Sequence, residues 1–274
     1  MGDFEDGLEI IKGRLYWAPL RRQPTSRPSN SHVFTTDEEF VYWNFFLDFG
    51  PLNLGHTVKY CKILRKKLDS SKYAQKKIYH YCMAHPHLQT NAAVLMGAFQ
   101  ILELGRSAKE AYAAFGKAHK AFVPFHDASP VACTYKLTVY HALQAIEKAS
   151  QLGLFDYENF DIRDYEQMEK VECGDLNWII KDRCFAFAGP QSSREAGLLD
   201  GYSTLVPEFY HEYFRRRNVK TIIRLNKRYY DAKRFTKVHD RAQCLQQINA
   251  AVLCLSTKLL FVCGWFYIVR LESK

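Results

Sequence analysis

Residues 218–236 read NVKTIIRLNKRYYDAKRFT and contain the stretch that decides the fold. Its β-branched run VKTII, at 219–223, has the composition of a buried strand. Residues 207–217, immediately before it, carry aromatic side chains at helical spacing. A helix, a short turn at Asn218 and a strand together indicate an α/β layer, and we expect this strand at the centre of its sheet.

Upstream of this stretch, strand and helix patterns alternate. We expect strands at 15–18 and 77–82, and helices at 54–68, 91–104 and 137–150. Ser107 and Glu110 form a capping box, and Thr36 with Glu39 has the same spacing, which predicts an aromatic-rich helix up to about Asp48. Residues 83–90, MAHPHLQT, should form a loop that contains neither Gly nor Arg.

Acidic side chains are concentrated in residues 156–175, where eight Asp or Glu accompany only Arg163 and Lys170. This change in composition is typical of a linker between domains. A hairpin follows, with strands at 178–180 and 184–188. We therefore predict an α/β protein with two domains, the second incomplete: a first domain at 7–150, an acidic linker at 151–175, the start of a second domain at 176–236 and a divergent apolar tail at 237–274.

Composition limits the classes of function. The 274 residues are 47% hydrophobic and 24% charged, which is ordinary for a globular chain. The net charge of +9 is spread over scattered or short clusters, so we expect a solvated surface and no nucleic-acid partner. The eight cysteines include no CxxC pair, and the N-terminus lacks a secretory signal, which together indicate a reducing, intracellular location.

Six blocks of sequence carry a family resemblance. They are FGPLNL at 49–54, PFHDAS at 124–129, CTYKLT at 133–138, GDLNWI at 174–179, FAFAGP at 185–190 and RLNKRYYDAKRFT at 224–236. Together and in this order they resemble the cell-division-cycle-fourteen dual-specificity protein phosphatases, over about residues 7–236. The resemblance implies two phosphatase-like α/β domains, of which the first is non-catalytic and the second carries the chemistry.

The resemblance also implies partners and locations. Members of that family dephosphorylate phosphoprotein substrates at Ser-Pro sites with a nearby basic residue. They act in mitotic exit, cytokinesis and centrosome or spindle control. By resemblance we expect a protein of the nucleus, cytoplasm, centrosome or spindle, with phosphoproteins as partners.

The catalytic motif of these enzymes is missing from the chain. They require a cysteine thiolate in a His-Cys-x5-Arg loop, which holds the phosphate, and an aspartate that protonates the leaving oxygen. Cys82 lies between a predicted strand and helix, but Leu88 stands where the arginine is needed, and Ala250 stands six residues after Cys244. We expect no catalytic residue and interpret the chain as an inactive, truncated or alternatively spliced form, whose tail comes from an alternative exon, read-through or a gene-model error.

The acidic linker is the candidate binding site. Carboxylates in a basic protein would select the basic residue of a substrate, although a solvated charged helix explains the same pattern. The candidates are Glu158, Asp161, Asp164, Glu166 and Glu169. We expect no cofactor and no metal site, because Cys82, His85 and His87 lack a fourth ligand at a recognised spacing.

Two other interpretations remain open. One is a membrane-anchored or scaffold interaction protein that uses residues 248–269 as a tail anchor. We do not expect membrane insertion, because Lys258 lies at the centre of this segment and costs about 2.5–3.5 kcal/mol there. The other is an active enzyme of which this sequence is a part.

Overall fold

The chain divides into two units, Met1–Phe160 and Asp161–Lys274. This computed structural model describes residues 4, 7–44, 46–128, 132–133, 135–192, 205–224 and 229–236, and the backbone alone at 243–246 and 266–270. The segment predicted as a linker, 151–175, crosses the division between the units. The assignment of 7–150, 151–175, 176–236 and 237–274 to two domains, a linker and a tail remains a prediction.

The first unit is an α/β layer on a four-stranded sheet. Its strands are β1 (Leu8–Ile11), β2 (Leu15–Leu20), β3 (Ser31–Phe34) and β4 (Lys77–Met83), and its helices are α1 (Leu54–Asp69), α2 (Pro86–Leu102), α3 (Ala108–Ala113) and α4 (Val139–Gln151). The strand order is β1-β2-β4-β3. β1 pairs antiparallel with β2, whereas β2 and β3 both pair parallel with β4. The predicted α/β class is confirmed, and β3 lies at an edge.

Helix α2 is the central element of this unit. Every residue from Gln89 to Ile101 is buried, and the helix packs against α1, α3 and α4. Burial on all sides is typical of a helix at the centre of a unit. Gly97 allows the close approach of α4, since a Cβ atom at this position would lie 2.6 Å from the Leu143 Cδ2 atom.

Side-chain caps mark the starts of α1, α3 and α4. The Asn53 Oδ1 atom accepts a hydrogen bond of 2.8 Å from the His56 amide at the start of α1. The capping box of Ser107 and Glu110 at the start of α3 is confirmed. Thr138 caps α4 in the same way, with the His141 side chain as the reciprocal acceptor.

The predicted helix between Thr36 and Asp48 is wrong. Among the residues described there, 37–40 form a turn and bend, and 41–44 are irregular. The Thr36 hydroxyl lies 3.3 Å from the buried His80 Nε2 atom, so it does not cap a helix. Trp43 and Phe46 are exposed rather than buried in a core.

Two further boundaries differ from the sequence predictions. A strand, β1, precedes the strand expected at 15–18. The loop expected at 83–90 is much shorter, because α2 begins at Pro86 instead of 91. Proline is favoured at the first helical position, where its missing N–H group loses no hydrogen bond.

The second unit is built on a five-stranded sheet. Its strands are β5 (Leu176–Ile180), β6 (Cys184–Ala188), β7 (Thr221–Arg224), β8 (Gln243–Gln246) and β9 (Phe266–Arg270), and its helices are α5 (Ile162–Met168), α6 (His211–Arg216) and α7 (Lys233–Thr236). The strand order is β5-β6-β9-β7-β8. The predicted hairpin is confirmed as the antiparallel pair β5 and β6. Phe185, Phe187, Tyr210 and Phe214 form its core together with Ile222 of β7.

The segment 237–274 supplies two strands of this sheet. β7, the strand of the sequence VKTII, has a neighbour on each side, but the middle position belongs to β9. β9 runs antiparallel to both β6 and β7. Of the proposed membrane anchor at 248–269, residues 248–265 lie outside the described residues. In the described part of the chain, no helix combines the length and apolar character needed to cross a membrane.

Candidate functional site

The junction between β4 and α2 contains Cys82, the cysteine that the sequence places between a strand and a helix, as in a catalytic loop. Cys82 is fully buried in β4, and burial raises the pKa of its thiol well above the usual value. His85 and His87 are exposed at the start of α2. Cys82 is therefore a protonated, inaccessible thiol, and it does not share a site with the two histidines.

Two backbone amides that directly follow Cys82 already have partners. The Met83 amide donates a hydrogen bond of 2.7 Å to the Asp37 Oδ2 atom, and the Ala84 amide donates one of 2.7 Å to the Leu20 carbonyl. Burial raises the pKa of Asp37, although the Met83 hydrogen bond lowers it. A phosphate-binding loop needs several unoccupied amides directed at the anion. Here a carboxylate of the protein and a backbone carbonyl take that place.

A cavity of about 610 Å³ opens beside the start of α2. Its walls are largely aromatic and aliphatic, and its charged lining groups are the carboxylates of Asp37 and Asp48. None of the described residues lining it is a lysine or arginine. Because phosphate dianions are repelled by carboxylates and need compensating cations, this cavity suits an uncharged or cationic group.

Three histidines border the same cavity. The His87 ring stacks on Phe49 with centroids 3.9 Å apart, and His85 lies edge-on to it at 5.4 Å. Burial, followed by the charges of His85 and His126, lowers the pKa of His87. Throughout the described residues, no three His, Cys, Asp or Glu side chains are placed to hold a metal ion.

The five acidic candidate residues divide between the two units. Glu158 belongs to the first unit, where its Oε1 atom lies 3.2 Å from an Arg65 guanidinium nitrogen. The other four belong to the second unit, on or beside α5. The Asp161 carboxylate caps this helix by accepting hydrogen bonds of 3.0 Å from the Arg163 and Asp164 amides.

The remaining acidic candidates lie on α5 or at its end. Asp164, in the first turn, is exposed, and Glu166 is partly exposed. Glu169 follows the last helical residue, with its carboxylate 3.5 Å from the Tyr165 hydroxyl. Asp161 and Asp164 stabilise the positive end of the helix dipole. These contacts account for the acidic residues at α5 by their stabilisation of the helix. The substrate-selecting role of the five carboxylates stays a prediction.

Asp175 is a further carboxylate in this region. Burial, and then the negative charge of Glu169, raises its pKa to about 6. We expect Asp175→Asn to stabilise the second unit at pH 7 by about 2–3 kcal/mol, at about 1.4 kcal/mol for each pKa unit. The backbone at Asp175 has a φ of 47°, which asparagine also tolerates.

The sign of this effect follows from linkage. Since the folded pKa of Asp175 exceeds its unfolded value, the native state is favoured while the carboxyl is protonated, and this stability is lost as pH rises through about 6. The free energies of unfolding of the parent chain and of the Asp175→Asn variant, measured with urea, should therefore differ increasingly as pH rises from about 4 to about 7. Equal stability at pH 7 would contradict a partly buried, unfavourably ionised Asp175.

Several residues that shape these sites were not predicted from the sequence. Asp37 and Asp48 fall in the segment that was interpreted as a helix, so their position at a cavity was not foreseen. The only local signal was the loop-forming pair Gly50-Pro51, which follows the segment. The partner of Asp37, the Met83 amide, lies 46 positions away along the chain, beyond the range of any pattern of spacing.

Comparison with known proteins establishes the family. Residues 9–149 match the family model described as dual specificity protein phosphatase, N-terminal half. The zebrafish (Danio rerio) dual specificity protein phosphatase CDC14AB is 49% identical over 240 residues. The chain belongs to the CDC14 family of dual specificity protein phosphatases. Human CDC14A is 44% identical over 236 residues, and the Caenorhabditis elegans tyrosine-protein phosphatase cdc-14 is 34% identical over 241 residues.

The CDC14 match covers most of this chain but a minor part of each relative. It extends over 86% of the chain in the comparisons with zebrafish CDC14AB and human CDC14A, and over 84% in that with the nematode protein. The matched parts are 39% of the zebrafish and human proteins and 34% of the nematode protein. The resemblance seen in the six sequence blocks is therefore confirmed as family membership, over a region of less than half of these phosphatases.

Proposed function

We propose that this 274-residue chain binds phosphoprotein partners of the CDC14 type without hydrolysing phosphate esters. The observation that carries this proposal is the state of Cys82, which is buried, protonated and next to backbone amides that already have acceptors. None of the eight cysteines in the sequence is followed by an arginine six positions later. Without that arginine, neither the thiolate nor the phosphate would be held for attack.

The proposed partners are phosphoproteins with Ser-Pro sites and a basic residue nearby, and the proposed contact is made by the five acidic candidates. Asp164 supports this assignment because its carboxylate is exposed and accessible to a cationic side chain, whereas the exposed Glu158 carboxylate already pairs with Arg65. Through its relatives, the chain is further proposed to act in cell-cycle control, in the nucleus or cytoplasm or at the centrosome or spindle.

Charge reversal on α5 tests the binding proposal. We expect the full chain to bind weakly to a peptide that contains phosphoserine-proline and a nearby lysine. The double variant Glu166→Lys with Glu169→Lys should weaken this binding about tenfold, because the loss of two ion pairs of about 0.7 kcal/mol each corresponds to that factor. Fluorescence anisotropy with labelled peptide measures the affinity. Raising the salt from about 0.05 M to about 0.5 M should also weaken binding, because exposed charges are screened over about 8 Å at physiological ionic strength.

A matched control uses two carboxylates of the first unit. Glu38 and Glu39 are adjacent and exposed, and Glu38→Lys with Glu39→Lys changes the net charge by the same amount. The control should keep the parental affinity. Salt-insensitive binding, or equal losses in the two double variants, would exclude selection by the carboxylates of α5.

A further inference from the structure

A group of positive side chains surrounds the edge strand β3 in the first unit. Residues 59–77 contain eight Lys or Arg and a single acidic residue, Asp69. The charges of three of these lysines, together with that of Arg27, act on the His32 side chain of β3. The four cations, which we term the β3 cationic cluster, are Arg27, Lys67, Lys72 and Lys76.

The cluster is closely packed around two stacked rings. His32 stacks on Tyr73 with ring centroids 4.0 Å apart. The Lys67 Nζ atom lies 3.1 Å from the His32 Nε2 atom and 4.7 Å from the Phe34 ring centroid. The Lys72 Nζ atom lies 5.6 Å from the Tyr73 ring centroid. The ammonium groups of Lys67 and Lys72 thus lie directly beside the aromatic rings at this edge.

Over the part of the chain that the structure describes, none of the four cations forms an ion pair. Burial, followed by the charges of the cluster, lowers the pKa of His32 to about 4, so His32 is neutral at pH 7. Neutral His32 accepts a hydrogen bond from Lys67 and leaves the positive charge of the cluster available to a partner.

Side-chain hydrogen bonds anchor the turn that carries Lys72 and Lys76. The Arg14 guanidinium donates hydrogen bonds to the carbonyls of Tyr73 at 2.6 Å and Leu68 at 2.9 Å, and also to that of Lys76. The Asn30 side-chain amide donates one of 2.7 Å to the Gln75 carbonyl, which joins the start of β3 to the same turn. Lysines on a fixed turn lose less freedom on binding than lysines on a mobile loop.

β3 also offers backbone groups to a partner. The Asn30 carbonyl accepts a hydrogen bond from the Lys77 amide of β4, so by alternation the backbone groups of Ser31 and Val33 point away from β4. No described residue forms a backbone hydrogen bond with these groups on the outer side of β3. Such an edge can accept an added strand.

We propose that an extended acidic segment of a partner protein adds to the sheet along β3, with its carboxylate or phosphate groups against Arg27, Lys67, Lys72 and Lys76. The free edge supplies backbone hydrogen bonds and the cluster selects negative side chains. This surface differs from the acidic residues of α5 in the charge it selects, and the inference does not depend on the function proposed above.

Two other anionic partners fit the surface less well. Nucleic acid binding commonly uses exposed aromatic faces on which bases stack, whereas the rings of His32, Tyr73 and Phe34 are covered by one another and by Lys67. Membrane binding is strengthened by apolar side chains that insert between lipids. None of the exposed large apolar residues in the described part of the chain lies in 27–34 or 66–77.

The test measures binding of a fluorescent peptide of about 12 residues that alternates Glu and Thr, long enough to cover the edge strand. We expect Lys72→Glu with Lys76→Glu in the full chain to weaken its binding by about tenfold or more. The matched control is Lys117→Glu with Lys120→Glu, which changes the charge equally at two exposed lysines of the turn Gly116–Ala121. This control should retain most of the parental affinity.

Three further measurements separate the alternatives. A peptide methylated at every backbone nitrogen cannot donate any strand hydrogen bond from either edge, and its binding should be lost. The ring signals of His32 in the NMR spectrum should shift on addition of the acidic peptide, whereas those of His119, beside the control lysines, should not. Equal weakening by both double variants, unchanged binding of the N-methyl peptide, or tighter binding of an oligouridine or of phosphatidylserine vesicles would overturn the proposal.

Discussion

The purified chain is expected to hydrolyse an aryl phosphate no faster than buffer alone. Phosphoester cleavage by a cysteine needs a thiolate, a set of amides and an arginine to hold the dianion, and a general acid, all in one place. Cys82 has a raised pKa and no accessible surface, and the nearby Met83 amide is bonded to Asp37. Removing one member of a catalytic unit commonly costs several orders of magnitude in rate, about as much as removing all of them.

The assay compares the chain with an active relative and with Cys82→Ser. Under the same conditions, zebrafish CDC14AB, a dual specificity protein phosphatase by name, serves as the positive control. Cys82→Ser should leave the background rate unchanged, because the buried thiol takes no part in it. Turnover inhibited by vanadate and abolished by Cys82→Ser would show that the β4–α2 junction is a working site. Vanadate-sensitive turnover that survives this substitution would also refute the proposal and place catalysis elsewhere in the chain.

Trp17→Ala is expected to cause the largest loss of stability among single substitutions proposed for the first unit. Trp17 is 0% exposed in β2, and its ring packs edge-on against Phe115 at 5.1 Å and Phe122 at 6.2 Å. Removing a buried tryptophan ring loses its transfer free energy and leaves a cavity, at a cost of about 3–5 kcal/mol. For a unit of this size, the melting temperature should fall by about 10 °C.

Hydrogen exchange of the α2 amides tests whether the loss of stability in Trp17→Ala occurs in the first unit. Amides in the middle of α2, where every residue from Gln89 to Ile101 is buried, should exchange much faster in Trp17→Ala. Trp43→Ala removes the same side chain from a position that is 85% exposed, and should change stability by at most about 0.5 kcal/mol. Similar effects of the two substitutions would contradict the burial of Trp17.

Trp17→Phe refines the same experiment. The Trp17 Nε1 atom is buried with no hydrogen-bond partner among the described residues. Phenylalanine removes this unpaired donor, so its cost should be well below that of alanine. A penalty equal to that of alanine would contradict this expectation, because the ring that phenylalanine retains would then contribute nothing to stability.

Local patterns predicted the elements whose ends depend on their own residues. Helix α1 begins at Leu54 as predicted, because Val58, Cys61 and Leu64 share one buried face and Asn53 caps the first turn. The same pattern of a hydroxyl followed three residues later by Glu was right at Ser107 and wrong at Thr36. The two sites differ in their surroundings: the Ser107 hydroxyl is exposed, whereas that of Thr36 contacts His80, 44 positions away.

The sequence by itself determined the family, the α/β class and the lack of a Cys-x5-Arg motif, because each depends on the order and identity of residues. Only the tertiary structure decided that Asp37 accepts a hydrogen bond from the amide after Cys82, that β9 lies in the middle of the second sheet, and that the charges of four cations act on His32. These features join residues far apart in the chain, and their energies depend on burial and on distances in space. The order of residues along the chain specifies neither burial nor distance directly. A hydrogen-bond partner or a neighbouring charge can therefore be identified only in the folded chain.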